Sequence, residues 1–216
     1  MFLNEVEAVS KVKGDRFLDL GCGMGHNTLE VSKILRLEGV GIDFSESAVH
    51  GAEKLAVDHL PKVTFRLGSF QDSSFLEKGE KYKIIFSLDG LYGLKDWESI
   101  LTSLLSHLDA GGKIFIFYSS VLKENDGESP LIEALEGLKK TTAENSFVFR
   151  FYDFTEQEKS FLERTDKLLE VFKASFEEEG LTNLYQTKKD ECEKGLFWHQ
   201  KKCSKRLFTV IEKVSN

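Results

Sequence analysis

Gly21, Gly23 and Gly25 alternate with Cys22 and Met24 in the run Phe17-Leu18-Asp19-Leu20-Gly21-Cys22-Gly23-Met24-Gly25-His26-Asn27-Thr28. Glycines let backbone approach a ligand closely, and the helix predicted to follow presents unpaired N–H groups, so a polar group is expected to dock here. The spacing is G-x-G-x-G, with histidine at 26 where a dinucleotide fingerprint needs its third glycine, so a nicotinamide cofactor is disfavoured. No G-x-x-x-x-G-K-[ST] run occurs, which argues against a phosphate-cradling nucleotide hydrolase.

The elements that must position this loop are legible as alternating strands and helices between residues 16 and 118. Short apolar runs predict strands at Arg16–Leu20, Gly39–Ile42, Val63–Arg66, Lys83–Ser87 and Lys113–Tyr118. Helices are expected over Asn27–Arg36, over Glu46–His59 with Ser45 as N-cap, near Gln71–Lys78, and over Trp97–Leu108 with Asp96 as cap and Gly111-Gly112 as stop. After Tyr118 the alternation lapses. A helix at Pro130–Lys140, a strand at Phe147–Tyr152 and a long helix from Glu156 to Glu179 are expected, the last opened by a Thr155/Glu158 capping box. Its stripe is read as Phe161, Thr165, Leu168, Leu169, Phe172 and Phe176, ended by Gly180. Strands at Thr182–Lys188 and Arg206–Lys213 complete the reading. The alternation makes the fold class α/β, with a helical and strand insertion after the fifth strand. It is read as one domain, with a core over 16–118, an insertion over about 119–180 and final strands over 181–216.

The Leu18-to-Gly25 run resembles the first motif of the class I S-adenosylmethionine-dependent methyltransferases. Gly41-Ile42-Asp43-Phe44-Ser45, ending the second strand, is similar to that family's second landmark, where a carboxylate accepts both ribose hydroxyl groups. Gly68-Ser69-Phe70-Gln71-Asp72 falls where the family reads the adenine. The usual aspartate is serine here, so base recognition would pass to backbone groups or to Asp72. Tyr82-Lys83-Ile84-Ile85-Phe86-Ser87-Leu88-Asp89 and Leu108-Asp109-Ala110-Gly111-Gly112-Lys113 continue the likeness. The resemblance implies a Rossmann-like, seven-stranded, mostly parallel sheet flanked by helices, and a cofactor, S-adenosyl-L-methionine, leaving as S-adenosyl-L-homocysteine. It implies a site made by Asp19, Gly21, Cys22, Gly23, Gly25, Asp43, Phe44, Ser69, Phe70 and Ser87. Asp19 would lie near the methionine end, the alternative being that it ties down the glycine loop.

A bound sulfonium carries the chemistry, so the protein mainly aligns an acceptor lone pair with the methyl carbon and excludes water. One base can help, and ligands gather beyond the carboxyl ends of strands, which singles out Asp89 and Tyr92 as catalytic residues. Asp89 is read as a base or cation-orienting carboxylate, or else as a loop cap, and Tyr92 as a wall of the acceptor pocket, or else as a half-buried aromatic. On the substrate side stand Tyr118, Arg150 and Tyr152, the arginine set among Phe147, Phe149, Phe151 and Phe154, where it would meet an acceptor carboxylate or face solvent. Cys192, His199 and Cys203 offer too few ligands for zinc, and no metal is expected. The cluster Lys201, Lys202, Lys205 and Arg206 is read as a solvated rim that could meet an acidic partner.

The chain of 216 residues is 41% hydrophobic and 30% charged with two prolines, which suits a folded domain rather than disorder. Its net charge of −7 disfavours nucleic acid, and three cysteines suit a reducing, cytoplasmic setting. No membrane span is evident. Few residues precede Arg16, so closure over the cofactor is expected from that arm, from the insertion or from another subunit, as in a homodimer. The expected activity is methyl transfer to a small-molecule N, O or S nucleophile. The alternatives are a protein or RNA acceptor, or a non-catalytic cofactor-binding module.

Overall fold

The computed structural model describes residues 2–9, 14–70, 75–122, 128–141 and 146–214. Its elements are α1 (Phe2–Glu7), β1 (Arg16–Leu20), α2 (His26–Leu35), β2 (Glu38–Asp43), α3 (Glu46–Leu55), β3 (Val63–Leu67), β4 (Tyr82–Leu88), α4 (Trp97–His107), β5 (Leu108–Val121), α5 (Pro130–Thr141), β6 (Phe147–Asp153), α6 (Thr155–Glu178), α7 (Thr182–Gln200) and β7 (Ser204–Lys213). Seven strands form one sheet in the order β3-β2-β1-β4-β5-β7-β6, and the five from β3 to β5 pair in parallel. The near-continuous burial of β1, β2 and β4 is what a sheet covered on both faces imposes. The order runs outward from β1 on one side and from β4 on the other, so the switch point lies between those strands, where open α/β sheets bind ligands beyond the strand ends.

The structure falls into two compact units, one of Met1–Tyr118, Pro130–Tyr152 and Phe208–Asn216, the other of Ser119–Ser129 and Asp153–Leu207. The boundary differs from the one expected from the sequence. Leu131, Ala134, Leu135 and Leu138 of α5 and Phe147 of β6 share the first unit's core with Trp97, Leu101 and Leu104 of α4, so this part of the presumed insertion is core. In the same unit Phe2 of α1 packs on Phe86 and Phe115, with ring centroids 5.4 and 5.7 Å apart.

Ser45 and Asp96 cap α3 and α4 as expected, accepting from the backbone N–H of Ala48 and Ser99. Five local expectations are corrected. Gly111 and Gly112 do not stop α4, which ends at His107; they lie within β5, where the register against β4 shifts between Tyr82 and Ile84. The Thr155/Glu158 capping box does not form, because the Asp153 carboxylate accepts from the Thr155 N–H at 2.8 Å and the Thr155 hydroxyl accepts from the Arg206 N–H. Thr182–Lys188 is helical rather than extended. Gly180, at φ 72°, ends α6, and Tyr185 and Cys192, two helical turns apart, pack α7 on Leu162, Leu169 and Phe176. The buried face of α6 is therefore the Leu162/Leu169/Phe176 row, and Phe161, Leu168 and Phe172 stand about half exposed. The expected Gln71–Lys78 helix lies partly outside the described residues, at 71–74, and no α-helix covers 75–78.

Candidate active site at the β1–β4 switch point

Gly21 leaves β1 at φ 79°, and its N–H and that of Cys22 both donate to the Ile42 carbonyl, at 2.8 and 3.1 Å. A Cβ on Gly21 would lie 2.3 Å from Cα of Gly90, and one on Gly90 would lie 2.3 Å from the Leu20 carbonyl oxygen. Only paired glycines let the two loops touch. The Ser87 hydroxyl, buried, donates to that same Leu20 carbonyl at 2.7 Å and locks β4 to the end of β1. Gly25, at φ 79°, precedes α2 with no side-chain cap, and a Cβ there would strike Phe65 and Ala52. Gly23 is different: at φ 52° a Cβ would meet nothing within 4 Å, so its left-handed backbone opens onto free space.

Asp43 joins this loop to the next helix. Its carboxylate is 7% exposed and accepts from the Gly23 N–H at 2.8 Å and from the Ser45 N–H at 2.9 Å, one bond to each oxygen. Each carboxylate oxygen retains a lone pair for a further donor. Phe44 beside it is 72% exposed, a large cost in apolar area for a side chain that nothing covers.

Asp19, buried beneath the loop, accepts from the Thr28 hydroxyl at 2.6 Å. Burial pushes its carboxyl up to about 7; the Thr28 bond opposes the shift and the Asp43 charge adds to it. An unfolded aspartate titrates near 4. Between about 4 and 7 the folded chain therefore holds a proton that the unfolded chain has released, so the stability from this residue is full at low pH and is lost as pH rises through 7. Asp19→Asn is expected to flatten that segment. Denaturant midpoints of wild type and variant measured at pH about 5 and about 8 should diverge, with the wild type losing more, and parallel profiles would contradict the assignment. The Cys22 thiol is also pushed up, by burial first and then by Asp19 and Asp43, so it stays protonated and is no nucleophile at neutral pH.

Asp89 follows β4 at φ 58°, its N–H donating to the Phe117 carbonyl at 2.8 Å. Its Oδ1 accepts from the Tyr92 hydroxyl at 2.6 Å, and both side chains are exposed. The structure thus gathers Asp19, Gly21, Cys22, Gly23, Asp43 and Ser87 at the switch point, with Asp89 and Tyr92 on the adjoining Gly90 loop. Ser69 is exposed after β3, whereas Phe70 is buried edge-on against Phe75, at 5.2 Å, so its ring belongs to the core. Asp72 lies outside the described residues.

The three residues assigned to the substrate side are not at this loop. Tyr118 is 4% exposed and packs on Trp97 at 5.2 Å, a core position. Arg150 and Tyr152 stand on β6, three strand spacings or about 14 Å from β4. There Arg150 donates to Glu5 of α1 at 2.6 Å and to the Tyr152 hydroxyl at 3.2 Å. Sequence reasoning missed Gly90, Thr28 and Glu5. The Asp89-Gly90 dipeptide at a strand end was a usable signal for the first; nothing local marks Glu5 as a partner of Arg150.

Against known proteins, the model of the methyltransferase domain family matches residues 11–187, and the chain belongs to that family. Among curated relatives, phosphoethanolamine N-methyltransferase 1 of Triticum aestivum is 24% identical over 111 residues, covering 51% of this chain and 22% of its own. Malonyl-[acyl-carrier protein] O-methyltransferase of Bacillus cereus is 30% identical over 107 residues, covering 49% of this chain and 38% of its own. The chain thus spans well under half the length of these relatives. Phosphoethanolamine N-methyltransferase 2 of Haemonchus contortus, solved with phosphomonomethylethanolamine and S-adenosylhomocysteine, superposes with a TM-score of 0.75 at 18% identity over 99% of this chain and 52% of its own. That likeness shows the fold. Among the described residues no helix is long and apolar enough to cross a membrane.

Proposed function

We propose that this chain binds S-adenosyl-L-methionine at the β1–β4 switch point and transfers its methyl group to a small-molecule nucleophile. The observation that carries the reading is Asp43, whose buried carboxylate is held by the Gly23 and Ser45 N–H groups beside open space over Gly23 and the uncovered ring of Phe44. A nucleoside suits this arrangement: ribose hydroxyls donate to the remaining lone pairs of Asp43, and a purine covers Phe44. The loop glycines give the cofactor room, and Asp19, when ionised, offers the field of a buried negative charge to a cationic ligand.

The methyl group leaves an already activated sulfur, so the protein's task is alignment. Asp89 and Tyr92 form an exposed polar pair on the Gly90 loop beside the site, able to orient an acceptor or take up its proton. The acceptor side is less specified. Both curated relatives, by their names, act on molecules with an acidic group, a phosphate in one and a malonyl carboxylate in the other. No specific observation favours a protein or RNA acceptor. The reading also takes the cytoplasm as its setting, and a homodimer stands within it as the route to closing the site.

The test is titration of S-adenosylmethionine and S-adenosylhomocysteine into the purified chain, followed by labelled-methyl transfer in a cell extract separated by size. Binding of both, with label in the small-molecule fraction, is the expected outcome. Absence of binding ends the reading, and label confined to macromolecules overturns its acceptor class.

A further inference from the structure

The second unit holds a polar cavity of about 690 Å³, bounded by the end of β6 and first turn of α6 on one side and by the end of α7 and start of β7 on the other. That volume suits a small metabolite. Its lining carries Lys159, Lys202 and Lys205 against the two carboxylates Asp153 and Glu156, a cationic surplus in a chain whose net charge is −7. Asp153 is already engaged, by the Thr155 N–H at 2.8 Å and by Lys205 at 3.8 Å. Among the described residues the ammonium groups of Lys159 and Lys202 have no carboxylate partner, although Lys159 is half-buried. Cations that line one cavity without a counter-ion repel one another, and an anionic ligand relieves that repulsion.

The wall behind these lysines is rigidly built. The His199 side chain, 3% exposed, faces the cavity with its Nε2 held 3.1 Å from Glu158. Glu158 also accepts from the Ser119 hydroxyl, which in turn accepts from Arg206 at 2.9 Å. Fixing Nε2 in this way leaves Nδ1 available to a ligand. The Thr155 and Ser204 hydroxyls and the N-terminus of the long helix α6 add donors from other directions. Several donors converging from separate directions, on lysines that act as point charges, match a tetrahedral dianion better than a planar carboxylate.

We propose that this cavity binds the phosphate group of a small phosphorylated molecule, through Lys159, Lys202 and Lys205 with His199 as its buried floor. The site lies wholly within the second unit, and its existence does not depend on the methyl-transfer reading.

The test is calorimetric titration of the whole chain with inorganic phosphate, with glycerol 3-phosphate as a phosphomonoester, and with acetate as control. Phosphate species are expected to bind and acetate not to. The Lys159→Gln/Lys202→Gln double variant should bind phosphate about tenfold more weakly, and Lys159→Arg should retain binding. Tighter binding of the ester assigns an organic phosphate, and equal affinity assigns the free ion. Absence of binding by either phosphate, equal affinity in the double variant, or acetate binding as tightly as phosphate overturns the proposal. S-adenosylhomocysteine affinity, measured on the same double variant, is expected to stay at its wild-type value, so a failure here is distinguishable from a failure at the switch point.

Discussion

Asp43→Ala is expected to weaken S-adenosylhomocysteine binding by at least about a hundredfold, since two hydrogen bonds from ribose hydroxyls to a charged acceptor are each worth about 1.5–3 kcal/mol. The substitution acts twice. It removes the proposed ribose acceptor, and it leaves the Gly23 and Ser45 N–H groups without the carboxylate they now share, which loosens the glycine loop. Titration calorimetry of wild type and variant reads the effect directly. An affinity within about threefold of wild type would remove Asp43 from the site.

Gly21→Ala should be the most damaging single methyl in the glycine run. The side chain must enter a left-handed conformation, costing about 1–2 kcal/mol, and must displace backbone at Gly90, where an added Cβ would lie 2.3 Å from Cα. Overpacking against backbone adds about 1–3 kcal/mol, so a loss of about 2–5 kcal/mol is expected, a large share of the roughly 5–15 kcal/mol that holds a domain folded. Gly23→Ala makes the contrast. Its φ of 52° costs the left-handed penalty alone, because its Cβ meets nothing within 4 Å. That methyl projects into the space assigned to the ligand, so cofactor affinity should fall more than stability does. Denaturant midpoints and S-adenosylhomocysteine titrations on the two variants separate the roles. Equal stability loss in both would show that the Gly21–Gly90 approach is not what constrains the loop.

The parts of the fold legible in the sequence were those whose periodicity has one physical cause. Arg16–Leu20 reads as a strand because both its faces are buried, and it forms over those residues. Ser45 and Asp96 read as caps because a short polar side chain before a helix has few better uses. The errors came where two causes compete. Thr182–Lys188 contains residues that suit either element, and only the distant Cys192, one row along the same helix face, decides for the helix. The stripe on α6 holds at Leu169 and Phe176, but Phe161, Leu168 and Phe172 lie off the packing face and Leu162 takes their place, because apolar residues occupy both rows and only the partner helix selects one.

The site divides in the same way. The glycine run and Asp43 lie at strand ends that the sequence marks, and the structure brings them together. Tyr118 and Phe70 carry the right chemistry for a pocket, but aromatic side chains fill cores as readily as they line sites, and here both are buried. The Asp89-Gly90 dipeptide marks Gly90 only as a turn residue; its close approach to Gly21, far away in the chain, leaves no local trace. The Arg150–Glu5 pair is hidden for the same reason, since an ion pair between residues so far apart leaves no periodic trace.

The placement of β7 between β5 and β6 has a consequence for biosynthesis. The last of the seven strands to leave the ribosome is an interior one, so β6 emerges with its intended neighbour still unmade and more than a whole helical hairpin away along the message. Until residues 204–213 arrive, the edge of β5 is an open template to which any passing strand can bind. A nascent chain of this kind is exposed to mispairing until that strand is translated, and slowing the ribosome before it would lengthen that exposure rather than assist folding.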